Sequence, residues 1–156
     1  MTTACCDTFS TRFGPFSVAV NDAGSVVATA FGDLTALRGR LGVCHVIRDK
    51  LRTAAARRQI VEFLAGRRAG FDLSLAPGGT PFQQRVWRAL RRIPFAETRT
   101  YGQLARQLRS SPRAVGRANA TNPICLLVPC HRVVGAGGAL TGFAFGLTTK
   151  RRLLAL

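Results

Sequence analysis

The sequence predicts a two-part protein with an α/β first half and a mainly α-helical second half. Alternating apolar residues around a turn predict strands near the N-terminus, and capping motifs followed by apolar faces predict helices after residue 80. A Pro-Gly-Gly break at residues 77–79 separates the two patterns. We therefore expect an N-terminal α/β domain over residues 1–76 and a second domain over residues 77–156.

The charge of the chain changes at the same break. The 156 residues carry 23 Lys and Arg against 7 Asp and Glu, a formal net charge of +16. The first domain holds 10 of the basic and 6 of the acidic residues, whereas the second holds 13 and 1. Such an excess favours a polyanionic partner: nucleic acid, an anionic membrane or phosphorylated ligands. The hydrophobic content of 47% argues against intrinsic disorder.

Neither membrane insertion nor secretion is predicted. No apolar run approaches the roughly 20 residues that span a bilayer, and the first nine residues lack the basic and apolar regions of a signal peptide. The five cysteines, an odd number, indicate reduced thiols rather than a disulfide framework. We expect a cytoplasmic protein, associated with the nucleoid if it is bacterial, with no membrane partner.

The first domain begins with strand patterns. Residues 16–20 alternate between apolar and small residues, which predicts a half-buried strand, and the turn at 22–25 leads to a second, more buried strand at 26–31. Together they predict a hairpin. The Ala-rich segment 52–64 predicts a helix that stops near Gly66. Alternating apolar residues at 71–75 predict a further strand.

The second domain begins with clear helix punctuation. Thr80 and Gln83 have the spacing of a capping box, with Pro81 at the first helical position. Apolar residues then recur on one face until Pro94 ends the helix. They are Phe82, Val86, Ala89, Leu90 and Ile93.

Two further helices follow at close spacing. Thr100 and Gln103 repeat the capping box and open a helix over 101–108, and a Ser-Pro pair at 111–112 opens a third from Arg113 to about residue 120. This arrangement is typical of a helix-turn-helix. The end of the sequence, 150–156, predicts a last short helix.

Cys130 and His131 form the part of the sequence that most clearly indicates a reactive site. A thiol with a pKa near 8.5 is a poor nucleophile at neutral pH, but an imidazole that accepts its proton and nearby cations favour the thiolate. A Cys-His dipeptide is equally consistent with a buried cysteine beside a structural histidine. Neighbouring side chains of an extended segment point to opposite faces, so the pair requires a bend if the two are to meet.

The Pro-Cys-His-Arg-Val run at 129–133 resembles the active-site signature of O6-alkylguanine-DNA alkyltransferases, the methylated-DNA–protein-cysteine methyltransferases. Further segments match the family pattern in order: 79–87, 97–102, 113–119, 122–123, 140–142 and 150–154. The resemblance covers most of the second domain and is highly specific there. In the first domain it is limited to residues 13–16 and the strand-turn-strand that follows.

The resemblance implies a ribonuclease-H-like N-terminal α/β domain and a winged helix-turn-helix C-terminal domain that holds Cys130. It implies DNA repair by direct, irreversible transfer of an alkyl group from O6-alkylguanine, and also from O4-alkylthymine, to Cys130. The target nucleotide is first flipped out of double-stranded DNA, at a cost of a few kcal/mol. Such a protein acts once, needs no metal or organic cofactor, and is expected to be a monomer.

The resemblance also implies residue roles. Cys130 is the nucleophile, His131 accepts its proton through a water, Asn122 helps to hold the active-site turn, and Tyr101 supports the extruded nucleotide and donates towards the base. Arg113 replaces the flipped base in the stack. Further DNA contacts are implied for Thr100, Gly102, Ala114 and Arg117. The pocket for the base and its alkyl group is implied to include Pro129, Val133, Phe143, Ala144, Phe145 and Lys150.

Three segments depart from the family pattern. The family orients its histidine with a glutamate just beyond the Leu-Leu pair of the last helix. In this sequence the Leu-Leu pair is followed by Ala155 and Leu156. Glu97, which belongs to another motif, is the only carboxylate side chain in residues 77–156. The loop at 109–112 is shorter than usual. Phe145 lies in a stretch that is Gly-rich in the family, and we expect it to narrow the pocket against bulky alkyl groups.

Two other functions are compatible with these patterns. An alkyltransferase-like sensor would bind alkylated DNA without reacting; Cys130 argues against it, and the departure at the histidine-orienting glutamate favours it. A DNA-binding regulator would use the helix-turn-helix alone, but no dimerisation segment supports it.

A zinc site in the first domain fits poorly, because adjacent ligand pairs lack the usual separated spacing. Its candidate ligands are Cys5, Cys6, Cys44 and His45. Cys125 is expected in the core.

Overall fold

A computed structural model describes residues 2–156 and divides the chain into two compact units. The first unit ends at Gly78, and the second begins at Gly79. No helix within residues 2–156 is long and apolar enough to cross a membrane.

The first unit is a mixed β-sheet with two helices. Its elements in chain order are β1 (Thr2–Thr11), β2 (Gly14–Val20), β3 (Val26–Phe31), α1 (Leu34–Arg38), β4 (Cys44–Arg48) and α2 (Ala54–Leu64). The strand order in the sheet is β3-β2-β1-β4. β2 pairs antiparallel with both β1 and β3, whereas β4 pairs parallel with β1.

The predicted hairpin and the predicted helix of this unit are confirmed. β2 and β3 pair across the turn, and the rings of Phe16 and Phe31 meet edge-to-face with centroids 4.9 Å apart. The helix α2 buries Ile60, Phe63 and Leu64, and the chain leaves it through Gly66, whose φ of 76° lies in the left-handed region that glycine adopts at helix ends.

The strand predicted at 71–75 is wrong. Only Leu75 forms a β-bridge there, with Val26. The preceding residues pack against α2 instead: the Gln59 side chain donates to the Asp72 carbonyl at 3.1 Å and accepts from the Asp72 N–H at 2.9 Å. The ring of Phe71 stacks on Phe63 at 4.9 Å. The apolar alternation of this segment therefore serves helix packing rather than a strand ladder.

The sequence patterns missed β1, β4 and the short helix α1. β1 lies between two neighbours in the sheet, and its residues 4–7 are all buried, so it shows no period-two alternation. The parallel edge strand β4 is mostly exposed and equally lacks a pattern. The length and register of these strands depend on partners that lie far away in the sequence.

The second unit is mainly helical. Its elements are α3 (Pro81–Arg91), β5 (Arg99–Thr100), α4 (Tyr101–Leu108), α5 (Pro112–Ala120), a 3₁₀ turn (Cys130–Arg132), β6 (Val133–Val134), a second 3₁₀ turn (Ala136–Gly138) and α6 (Leu147–Leu154). β5 and β6 form a short parallel pair. The indole N–H of buried Trp87 on α3 donates to the Ala118 carbonyl at 2.8 Å, which fixes α3 against α5.

The predicted helix starts of this unit are confirmed at atomic detail. Thr80 and Thr100 each accept from the backbone N–H of the glutamine three residues later, and each glutamine side chain accepts from the capping N–H. Ser111 caps α5 in the same way through the N–H of Ala114. The last helix begins at Leu147 rather than at the predicted Lys150, directly after Gly146, whose φ is 94°.

Candidate active site around Cys130

A buried asparagine organises the chain before Cys130. Asn122 is 2% exposed, its side-chain amide donates to the Val128 carbonyl at 3.0 Å, and its oxygen accepts from the Ile124 N–H at 3.0 Å. Between these two partners, Leu126 has a φ of 74°, a left-handed conformation that is costly for a side chain with a Cβ. The single amide therefore braces a strained turn at both ends.

Pro129 supplies the bend that the sequence requires. Its φ of −78° and ψ of 65° are those of an inverse γ-turn, and the Cys130 N–H donates to the Val128 carbonyl at 2.7 Å. Cys130, His131 and Arg132 then form a 3₁₀ turn. Cys130 is 6% exposed. Cys130 and His131 thus lie on a turn rather than on opposite faces of an extended strand.

His131 is buried among positive charges. It is 2% exposed, and burial, together with Arg132 and Lys150, lowers its pKa to about 3. The imidazole is therefore neutral at physiological pH, and its surroundings disfavour the protonated ring. Its Nδ1 atom is buried and has no hydrogen-bond partner.

Lys150 anchors a loop beside this turn. Its side chain is fully buried, and its Nζ donates to the carbonyls of Thr141 at 2.8 Å and Gly142 at 3.4 Å. Burial lowers the pKa of Lys150, while its electrostatic interaction with Cys130 acts in the opposite direction. A nearby ammonium group of this kind favours a thiolate.

A cavity of about 80 Å³ is lined in part by His131. Its lining includes the Pro94–Thr98 loop, the 3₁₀ turn and the end of α6. The residues are Phe95, Ala96, Glu97, Thr98, His131, Arg132, Leu153, Leu154 and Leu156. The pocket residues named from the sequence are placed differently: Pro129 and Val133 are buried, Phe143 and Phe145 are half-buried with their rings edge-to-face at 5.7 Å, and Ala144 is exposed.

The residues predicted to contact DNA lie at the start of α4 and along α5. The Tyr101 ring passes Gly116 on α5, where an added Cβ would lie 3.8 Å from the ring, within ordinary contact distance. The Thr100 hydroxyl is engaged in the helix cap, and Gly102 follows in the first turn. On α5, Arg113 and Arg117 are exposed and Ala114 is half-buried.

Two residues that support the turn were missed at the sequence level. Asn119 is buried on α5, and its amide donates to the Cys130 carbonyl at 3.4 Å. Arg132 donates to the Ile93 carbonyl at 2.9 Å and lies over the Phe95 ring at 5.7 Å. Both contacts join segments that are distant in sequence, so no local pattern marks them.

The other cysteines have structural settings of their own. Cys125 is 2% exposed, as expected of a core residue, and Cys5 and Cys6 are buried in β1. Within residues 2–156, no group of three or more His, Cys, Asp or Glu side chains is placed to hold a metal ion.

Comparisons with known proteins relate the chain to one family. A model of the 6-O-methylguanine DNA methyltransferase DNA binding domain matches residues 81–156. The chain is 53% identical over 103 residues to the methylated-DNA–protein-cysteine methyltransferase of Methanosarcina acetivorans, covering 65% of the chain and 66%, just under two thirds, of that relative. It is 41% identical over 155 residues to the Methanosarcina barkeri protein of the same name, covering 96% of the chain and 94% of the relative.

The fold of the chain is also similar to that of a solved structure. The mixed sheet and helices match the crystal structure of Mycobacterium tuberculosis OGT in complex with DNA with a TM-score of 0.86 and 38% identity, covering 97% of this chain and 91% of that chain.

Proposed function

The chain belongs to the methylated-DNA–protein-cysteine methyltransferase family, and we propose that it repairs DNA by transferring the alkyl group of O6-alkylguanine irreversibly to Cys130. The observation that carries this proposal is the bend at Pro129, after which the buried Cys130 and the buried His131 lie on one turn. In this proposal His131 takes the thiol proton, and Lys150 favours the thiolate, which helps to offset the weak basicity that burial gives the imidazole.

The proposed reaction is a single displacement. The Cys130 proton passes to His131, through a water, and the thiolate attacks the alkyl carbon on O6. The S–C bond forms as the C–O bond breaks, and the electron pair of the C–O bond stays with guanine, which takes up a proton. The resulting thioether is stable, so each molecule acts once and no cofactor is needed to balance the step.

The two units fit different parts of this function. We assign residues 77–156 to DNA binding and alkyl transfer in a winged helix-turn-helix form, and residues 1–76 to a ribonuclease-H-like domain. The excess of 13 basic over 1 acidic residue in the second part suits a phosphate backbone and makes DNA binding dependent on salt.

Base flipping accounts for the arrangement of α4 and α5. Guanine O6 in a duplex cannot reach a thiol that is 6% exposed, so the nucleotide must leave the stack. Arg113, exposed at the start of α5, would fill the vacated space, and Tyr101 would support the extruded nucleotide. Thr100, Gly102, Ala114 and Arg117 would contact the DNA around them. The pocket would be formed by Pro129, Val133, Phe143, Ala144, Phe145 and Lys150.

A labelled-substrate experiment tests this proposal. The protein is incubated with duplex DNA that carries O6-methylguanine labelled in the methyl group, and the label is located by peptide mass. We expect one label per molecule on Cys130 and none in the Cys130→Ala variant. The Cys125→Ala variant, which removes another buried thiol, serves as the matched control and should still be labelled. Tight binding without label would instead favour the non-reacting sensor.

A further inference from the structure

Two side chains of α3 bond to the two helices that follow it. The indole of buried Trp87 donates to the Ala118 carbonyl on α5 at 2.8 Å. The Nη2 of Arg85 donates to the Leu108 carbonyl at 2.9 Å. Leu108 is the last residue of α4, where backbone carbonyls have no partner within the helix and a positive charge complements the helix dipole. Arg85 therefore acts as a C-terminal cap that is supplied by another helix.

The peptide unit that Arg85 holds controls a left-handed residue. The peptide between Leu108 and Arg109 is fixed at both ends, because its carbonyl accepts from Arg85 and its N–H donates to the Arg106 carbonyl at 3.3 Å. Its orientation sets the φ of Arg109, which is 53°, a conformation that favours glycine and is costly for a residue with a Cβ. Bonds at both ends of the peptide resist its rotation back to the right-handed region.

The start of α5 follows directly from this turn. Two serines alone connect Arg109 to Pro112, the first residue of α5, and Arg113 comes next. Both serines are bonded, the first through its N–H to the Ala105 carbonyl of α4 and the second as the cap of α5. Because this connection is short and bonded throughout, the conformation of Arg109 decides the direction in which α5 and Arg113 leave the turn.

The interface between α3 and α4 is incompletely packed. A cavity of about 200 Å³ lies between the two helices. Its lining residues are Ala89, Arg92, Ile93, Arg99, Leu104 and Gln107. The helix α3 also contacts α4 less extensively than it contacts α5. Side-chain packing therefore constrains the end of α4 less than a closed interface would, and the bond from Arg85 supplies a constraint that the packing lacks.

We propose that Arg85 is a positioning residue for alkyl transfer in duplex DNA: by holding the Leu108 carbonyl, it sets the turn after α4 and so the place that Arg113 takes on the DNA. This inference rests on the proposed function and adds to it a residue that matters only when the substrate is a duplex. A free O6-methylguanine nucleoside requires no insertion of Arg113, so its reaction with Cys130 does not depend on the turn.

A comparison of two substrates tests the role of Arg85. The single-turnover rate is measured with subsaturating duplex DNA that carries O6-methylguanine, and with the free O6-methylguanine nucleoside. We expect Arg85→Ala to slow the duplex reaction by roughly fivefold or more, since small displacements of a group that positions the substrate lower rates steeply. The nucleoside reaction should stay unchanged. Equal slowing with both substrates would indicate a general loss of structure, and an unchanged duplex rate would show no role at all; either result would overturn the proposal.

Arg88→Ala is the matched control for charge. Arg88 is an exposed arginine one turn further along α3, so the two alanine variants lose the same charge from the same helix. We expect Arg88→Ala to slow the duplex reaction clearly less than Arg85→Ala. We expect Arg85→Lys, whose ammonium can donate to the same carbonyl, to restore part of the rate. If both alanine variants slowed the reaction equally, the effect would be one of charge and the positioning role would be rejected.

A measurement without substrate separates this inference from the proposed function. Amide hydrogen exchange is followed at Arg109 and Ser110, whose N–H groups donate to carbonyls near the end of α4. We expect exchange at both to accelerate in Arg85→Ala and to stay as it is in Arg88→Ala. Unchanged exchange in Arg85→Ala would reject the role of Arg85 even if Cys130 becomes labelled. Faster exchange without any label on Cys130 would reject the alkyl transfer instead.

Discussion

The backbone that carries Cys130 and the imidazole of His131 are held in opposite ways. Asn122 and Asn119 donate to backbone carbonyls of the segment that carries the nucleophile. The Nδ1 of His131, in contrast, lies buried beside a cavity and has no hydrogen-bond partner within residues 2–156. Buried amides therefore fix the backbone at the thiol, whereas the ring of His131 lacks a comparable bond at Nδ1.

The largest effect is expected from removing the Asn122 side chain. Asn122→Ala leaves the Ile124 N–H unpaired in the core and takes away one of the two donors to the Val128 carbonyl, which keeps the Cys130 N–H; it also releases the strained Leu126. We expect a loss of about 2–4 kcal/mol in the free energy of unfolding, since a buried group left unpaired costs about 1–3 kcal/mol and a lost hydrogen bond about 1 kcal/mol. Denaturant titration measures this. The matched variant Asn119→Ala gives up one bond of 3.4 Å and should lose about 1 kcal/mol; equal losses would contradict the special role of Asn122.

A smaller effect is expected from the His131 imidazole, whose protonation makes the stability of the protein depend on pH. Its pKa of about 3 in the folded protein lies below the usual value near 6.5, so the unfolded chain binds the proton first. Stability is therefore complete above about pH 6.5 and declines as the pH falls towards 3, by about 2 kcal/mol between pH 7 and 5. Unfolding curves at several pH values, in a His45→Gln background, check this. His131→Asn should flatten the decline; an unchanged slope would count against a buried neutral imidazole.

The smallest change in stability is expected from Lys150, which interacts electrostatically with both Cys130 and His131. Lys150→Met removes the bonds to Thr141 and Gly142, but it also removes a buried charge, and the freed carbonyls lie on exposed residues. We expect less than about 1 kcal/mol of change in global stability. Amide exchange in residues 139–146 should nevertheless accelerate, because the loop loses its anchor. Arg151→Met, an exposed neighbour, is the control and should leave that exchange as it is.

The parts of the fold that follow local rules were predictable from the sequence. The capping boxes at Thr80 and Thr100 and the Ser111 cap each depend on residues three positions apart, and all three formed as expected. The buried central strand β1 and the segment 71–75 were not predictable, because partners distant in sequence decide their structure.

The candidate site shows the same limit. The motif drew attention to Cys130, His131, Asn122 and Lys150, and the structure gathers them around one turn. The burial of His131, its unpartnered Nδ1 and the cavity that Glu97 borders arise only when the loop after α3, the 3₁₀ turn and α6 pack together. No spacing in the sequence encodes that packing.

The backbone and the core favour different residues at position 126. A φ of 74° favours glycine, whereas a side-chain position that is 1% exposed favours a large apolar residue such as leucine. Truncating a buried leucine costs about 2–5 kcal/mol, which exceeds the roughly 1–2 kcal/mol of left-handed strain, so leucine is the more stable choice. The unrelieved strain is tolerable only while Asn122 braces the turn. We therefore expect the stability effects of substitutions at positions 122 and 126 to be non-additive.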